Sequence, residues 1–336
     1  MNIDVRKRLL HKLLLIREFE NTLSSHKMQN DIYGMVHCAH GQEAIAVGIC
    51  DVLEPLDYIV SNHRPHAHAI AKGVDVKYIM AEVYGKETGT NGGKGGSMHI
   101  MDPSKGMLIS TGIVGSGIPV ACGVAFSAKY YGNNKITCVF MGDGSANEGV
   151  FYESLNLAAK WSLPIIFVIE DNGLAVTTYT DDTSACRDYI QLANAFGIEG
   201  KKINGQDVED VYHLAERIVE KVRIEKRPYL IQAKTYRFHE HAEGKYYLEK
   251  RTRYRNVDKL NEEEREQCPI KRYKALLMEQ GLLSEDMYLK MQADVHAEVK
   301  AAMEFAVTSP QVNSKHAFMD VYVCLLYTSP SPTRLR

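Results

Sequence analysis

The chain has 336 residues, 45% hydrophobic and 24% charged, enough to bury one large core or two modest ones. Its 40 basic residues stand against 42 acidic ones, a formal net charge of −2. That balance gives no electrostatic reason to expect nucleic acid or an anionic membrane surface as partner, and no apolar run reaches the ~20 residues of a membrane-spanning helix.

Residues 3–30 predict an amphipathic helix, with Leu9, Leu10, Leu13, Leu14, Ile16, Phe19 and Leu23 at helical spacing and Gly34 beyond its end. A short helix is expected over 44–53, then a turn at Pro55 and a brief strand at 58–60. The glycine-rich stretch from Gly85 to Gly96 is too short and too mixed for a flexible linker. Residues 135–140 form a continuous β-type run, as in a buried parallel strand, and end in Gly142-Asp143-Gly144. A helix follows from about 150 to Trp161, Pro164 stops it, and 165–169 is a second buried strand. This is a βαβ unit. Helices near 190–195 and 208–223 precede a strand at 229–233, and the chain past Asn256 is helical and charged. The expected fold is α/β, a doubly wound parallel sheet with N-terminal and C-terminal helices.

Seven cysteines are scattered, at Cys38, Cys50, Cys122, Cys138, Cys186, Cys268 and Cys324, with no CxxC pair. Their spacing offers neither a zinc-ligand pattern nor a disulfide framework, which favours a reducing compartment. The N-terminus has no charged-then-apolar signal pattern, and Asp4, Glu18 and Glu20 argue against an acid-poor transit peptide. A cytoplasmic location is expected. From Cys324 to Pro332 the text resembles a translated sequencing adapter, so one domain is expected over 1–323 and a non-native tail over 324–336. The basic residues near Lys245 to Arg255 are interleaved with Glu243 and Glu249 and read as a solvated, charged loop.

Open parallel sheets bind ligands beyond the carboxyl ends of their strands. Two segments emerge there: Gly142-Asp143-Gly144-Ser145 and Glu170-Asp171-Asn172-Gly173. Glycine lets the backbone approach a phosphate, and a following helix offers free N–H groups and a positive dipole end. Asp143 and Asn172 supply the hard oxygens that Mg²⁺ on a diphosphate requires. Taken alone, the Gly-Asp-Gly turn is weak evidence and reads more readily as a tight strand-to-helix connection.

The interval adds weight, because 26 residues, 145 to 170, separate Gly144 from Asp171. This resembles the thiamine-diphosphate motif. With Asn147, Glu153, Asn156-Leu-Ala-Ala159, Trp161 and Leu163-Pro164, the segment resembles the alpha subunit of pyruvate and related 2-oxo-acid dehydrogenases. The resemblance runs over almost the whole chain. It includes Ile16-Arg17-Glu18-Phe19-Glu20, Gly41-Gln42-Glu43-Ala44, His63-Arg64, Gly92 to His99, Gly112-Ile-Val-Gly115, Thr235-Tyr236-Arg237 with His239 and His241, Tyr254-Arg255 and Pro269-Ile270.

That resemblance implies thiamine diphosphate and Mg²⁺ as cofactors. It makes Asp143, the Asn172 side chain and the Leu174 carbonyl the metal ligands. Gly142, Gly144, Ser145 and Arg64 would sit at the diphosphate, with His63 beside them, and Gly112 and Val114 at the aminopyrimidine. His37 and His241 become the catalytic histidines, able to shuttle protons near neutral pH. The resemblance further implies oxidative decarboxylation of a small 2-oxo acid, or acetoin cleavage, with acyl transfer to the lipoyl group of an acyltransferase component. A beta subunit would complete the active site in a two-alpha, two-beta assembly.

Two departures stand out. Asp171 replaces the first Asn of the family's pair, and Ala242 replaces a serine that is phosphorylated in animal mitochondrial relatives. Most of the 13 histidines, among them His11, His26, His213, His296 and His316, read as surface or structural. The histidines from His63 to His68 flank Arg64, whose charge repels a dication. A nicotinamide-binding reading of Gly112-Ile-Val-Gly-Ser-Gly117 fails, because Val120 stands where the third glycine belongs. A single-chain thiamine synthase or carboligase would be longer, and a noncatalytic assembly subunit has no need of the Asp143 and Asn172 pair.

Overall fold

The computed structural model describes residues 1–250 and 254–319. The expected tail at 324–336, the last residues of the expected domain and residues 251–253 of the basic loop lie outside the described residues.

Helix α1 spans Ile3–Met28, capped by the Asn2 side chain, which accepts from the Val5 N–H; its seven apolar residues read from the sequence are all buried. Next come α2 (Glu43–Cys50), β1 (Tyr58–Ser61), α3 (Pro65–Lys72) and α4 (Val76–Val83). Neither α3 nor α4 was expected. All eight residues of α3 are buried, so it has no polar face for periodicity to reveal. Strand β2 (Met107–Ser110) and α5 (Gly117–Tyr131) were also unforeseen; α5 exposes Val120, Phe126, Tyr130 and Tyr131 and so lacks a polar side.

The expected βαβ unit is present as β3 (Thr137–Gly142), α6 (Gly149–Trp161) and β4 (Ile165–Asp171). Beyond it lie a hairpin of β5 (Leu174–Ala175) and β6 (Thr178–Tyr179), then α7 (Tyr189–Ala195), β7 (Glu199–Asn204), α8 (Val208–Glu225) and β8 (Tyr229–Lys234). Helices α9 (Lys245–Lys250), α10 (Val257–Gln267), α11 (Pro269–Glu279) and α12 (Glu285–Thr308) follow. Strand β7 is a sheet edge with Lys201 and Lys202 exposed, a charged rim that discourages pairing with another chain and hides the strand from an apolar-run search.

Six strands form one parallel sheet in the order β2-β1-β3-β4-β8-β7. Cys138, Phe140, Ile166 and Val168 face one core, shared with α1, α2 and α8. Val139, Met141, Phe167 and Ile169 face the other, shared with α5 and α6. Burial on both faces explains the unbroken apolar runs of β3 and β4. The α/β expectation therefore holds. No described helix is long and apolar enough to cross a membrane.

The glycine-rich stretch has a structural explanation. The buried Glu82 carboxylate on α4 accepts from the backbone N–H groups of Asn91, Gly93, Gly95 and Gly96, at 2.6–3.1 Å. The chain curls around an internal anion.

Candidate functional site

The central strands β1, β3, β4 and β8 each deliver residues from their carboxyl ends to one place. Gly142 pairs with Glu170 across β3 and β4, so the two strands end level. Beyond those ends a cavity of about 260 Å³ is lined by His63, Arg64, Val114, Gly142, Asp143, Gly144, Ser145, Asn172, Leu174 and His241. Those are ten of the twelve residues singled out in the sequence. Gly112 lies in an adjoining crevice that shares His63, Val114 and Ser145. His37 sits behind the wall, its ring 5.0 Å from that of His63 and 4.9 Å from that of His241.

Asp143 opens a 3-10 turn, Asp143–Asn147, and α6 begins only at Gly149. The helix thus starts where the sequence placed it, at about 150, and Gly144 and Ser145 lie in the turn that precedes it. Gly144 is required there for space: a Cβ would stand 2.7 Å from the Cβ of Ala175. Asp143 is buried, and burial pushes its carboxyl up, opposed by a hydrogen bond from the Thr180 hydroxyl and reinforced by the nearby Asp171. Asn172 donates from Nδ2 to Gln42 Oε1 at 3.0 Å, and its Oδ1 accepts from the Leu174 N–H at 3.0 Å. The amide is thereby oriented, with oxygen lone-pair capacity remaining.

Two guanidinium groups share the cavity with the carboxylates of Asp143, Glu148 and Glu170. Arg64 donates to the carbonyls of Cys38 (2.6 Å) and His241 (2.9 Å). Arg237, at the end of β8, donates to the carbonyls of Val176 (3.0 Å) and Leu174 (3.5 Å). Both are buried line residues of the cavity, and among the described residues neither has an ion-pair partner. Burial pushes Arg64 down, and burial with the neighbouring Arg64 and Arg255 brings Arg237 down to about 9. A buried cation without a counter-ion is costly, so an anion beside the two guanidinium groups would be favoured. The same field acts on the histidines. Burial and then Arg64 bring His37 down to about 3 and His241 to about 2, with His63 also lowered. Burial first and Arg64 second thus hold both rings neutral, which opposes the expected proton shuttling near neutral pH.

A sequence profile described as "Dehydrogenase E1 component" matches residues 11–315. The chain belongs to that family. It is 40% identical over 312 residues to the alpha subunit of acetoin:2,6-dichlorophenolindophenol oxidoreductase from Cupriavidus necator, covering 93% of this chain and 92% of the relative. The protein of the same name from Bacillus subtilis is 39% identical over the same shares. The pyruvate dehydrogenase E1 component subunit alpha of Rickettsia bellii is 34% identical over 93% of this chain and 94% of that one.

Dehydrogenases of the E1 component family depend on thiamine diphosphate. In this E1 chain the structure adds residues to which the sequence assigned no role. Gln42 positions the Asn172 amide, Arg237 supplies a second buried cation, and Val176 lines the cavity in a left-handed conformation, φ 54°, rare for a β-branched residue. Gln42 and Arg237 stand inside quoted family strings, the signal that could have found them. Asp171, the departure from the family pair, does not line the cavity. Its carboxylate meets Arg187 at 3.0 Å and Gln232 at 2.8 Å. Arg187 belongs to the segment that carries Thr180, so this ion pair anchors the segment orienting Asp143. His66 and His68 are structural: His66 lies between Glu20 and Ser97, and His68 meets Ser61 and Glu170.

Proposed function

We propose that the chain is the alpha subunit of a thiamine-diphosphate-dependent 2-oxo-acid dehydrogenase of the pyruvate or acetoin type. One observation carries this reading: the buried Asp143 carboxylate, an oriented amide and two buried guanidinium groups, which have no ion-pair partner among the described residues, face one cavity. A polyanion held through a hard cation matches that set of groups. Asp143, the Asn172 side chain and the Leu174 carbonyl would hold Mg²⁺. Arg64, Arg237 and the backbone of Gly142, Gly144 and Ser145 would receive the diphosphate, with His63 beside it. Gly112 and Val114 lie in the adjoining crevice, where the aminopyrimidine end would rest.

Thiamine diphosphate supplies, when bound, the carbanion and electron-sink chemistry of oxidative decarboxylation. The chain's own part is binding, orientation and proton handling. At neutral pH His37 and His241 are uncharged imidazoles, so His241 at the cavity has one ring nitrogen able to accept a proton, with His37 against its ring behind the wall. No carboxylate for the pyrimidine nitrogen is assigned to this chain; in the two-chain members of the family the beta subunit brings it. The reading therefore includes a two-alpha, two-beta heterotetramer and a lipoyl acyltransferase that takes the acyl group. Exposed Phe126, Tyr130, Tyr131 and Trp161 support a chain that buries surface against a partner. Residues 1–323 are read as one domain, working in the cytoplasm.

The test pairs the chain with its beta subunit and measures thiamine diphosphate binding by calorimetry with and without Mg²⁺. Binding should require Mg²⁺ and be lost in Asp143→Asn. Equal binding in chelator, or no effect of Asp143→Asn, overturns the reading. Assays with pyruvate, acetoin and branched-chain 2-oxo acids and an artificial electron acceptor then separate the substrates.

A further inference from the structure

Behind the cavity's histidines lies a second cluster of ligand-type side chains. Cys38 and His40 stand between α1 and α2, and Glu243 between β8 and α9. One ligand atom from each, a thiol sulfur, an imidazole nitrogen and a carboxylate oxygen, lies within 4.8 Å of the other two. Cys38 is 1% exposed and His40 2%, while the Glu243 side chain is 8% exposed.

The hydrogen bonds around the cluster leave a lone pair without a partner. His40 Nε2 is 2.9 Å from Asn21 Oδ1, an acceptor only, so Nε2 carries the hydrogen. His40 Nδ1 is then the unprotonated nitrogen, and it is buried with no hydrogen-bond partner among the described residues. Metal-binding imidazoles are held in this way, with the far N–H on a carbonyl or carboxylate. Glu243 is similarly fixed: His239 Nδ1 lies 3.0 Å from Oε1, and the Ser24 hydroxyl donates to Oε2 at 2.6 Å. The ring of His239 stacks on that of His40 at 3.6 Å. The Cys38 sulfur has a long contact of 3.8 Å to the Glu20 carbonyl, which leaves it available.

We propose that Cys38, His40 and Glu243 form a binding site for a zinc-class divalent cation, distinct from the hard-cation site at Asp143 and Asn172. A thiolate and an imidazole select borderline or soft metals over Mg²⁺ and Ca²⁺. Binding exchanges the Cys38 thiol proton, released to solvent, for the cation. Thiolate and carboxylate together then neutralise the dication inside the protein. Three protein ligands leave a fourth position for water. Glu243 follows His241 by two residues, so the cation would tie the strap carrying His239 and His241 to the segment carrying His37. The site thereby fixes the spacing of the two histidines at the cavity.

The test uses the full chain, reduced and stripped with chelator, then titrated with Co²⁺ in excess Mg²⁺. One equivalent should bind with a thiolate-to-cobalt charge-transfer absorption, which an oxygen-ligand site cannot give, and Zn²⁺ should displace it. Cys38→Ser should abolish the band, and His40→Ala should weaken Co²⁺ binding by about tenfold or more. Asp143→Asn should leave the band intact, which separates this inference from the proposed function. Absence of the band in the unsubstituted chain, which needs no variant to fold, overturns the proposal. So does a band that persists in Cys38→Ser.

Discussion

Asp171, a departure within a motif, is met by the guanidinium of Arg187, a residue outside it. Asp171 brings a second buried carboxylate beside Asp143, and the Arg187 guanidinium 3.0 Å away offsets it. Removing Arg187 leaves that carboxylate with Gln232 alone among the described side chains and frees the segment bearing Thr180. Arg187→Met is therefore expected to weaken Mg²⁺-dependent thiamine diphosphate binding by about tenfold, and Arg187→Lys by less. Calorimetry of the three proteins decides it; tighter Mg²⁺ binding in Arg187→Met would instead make Asp171 a ligand. Arg237→Met removes one of the two buried cations at the cavity. It should lower the same affinity by about tenfold to a hundredfold, with a smaller dependence of binding on salt.

Among the elements, α4 and the loop it organises offer a test that is independent of the active site. Four backbone N–H groups converge on the Glu82 carboxylate, which is 0% exposed. In Glu82→Gln an NH₂ group must face some of those donors. The expected loss of stability is about 2–3 kcal/mol, read as a lower urea midpoint with an unchanged slope. Little of this was legible in the sequence: the glycines were visible, but the anion they wrap lies on an element that was not foreseen. The βαβ unit was legible, because strands buried on both faces cannot be other than continuously apolar. Helix α3 and the edge strand β7 were not, since one lacks a polar face and the other an apolar one.

For the whole molecule, the buried histidines make stability depend on pH. Burial first, then neighbouring cationic groups, hold His37, His40, His63 and His241 below their ordinary value of 6.5. The unfolded chain then binds more protons than the folded one below about pH 6.5, so stability falls with acid. The window opens near 6.5 and, for His37, extends down to about 3. Each histidine contributes at most about 1.4 kcal/mol per pH unit. Urea midpoints should be lower at pH 5 than at pH 7.5, and His37→Gln should flatten the slope. Thiamine diphosphate with Mg²⁺ should raise the midpoint at both values, because binding stabilises only the folded state.

The sequence by itself determined the family, the parallel sheet and the chemical types at the strand ends, because motif spacing and apolar runs are local properties. It also contained Cys38, His40 and Glu243 without any pattern to join them. Only the tertiary structure decided which groups share a space: that Arg237 joins Arg64, that Arg187 neutralises Asp171, and that a thiol, an imidazole and a carboxylate meet behind the cavity. Burial and charge pairing depend on contacts between segments far apart in the chain, and no window of sequence records those contacts.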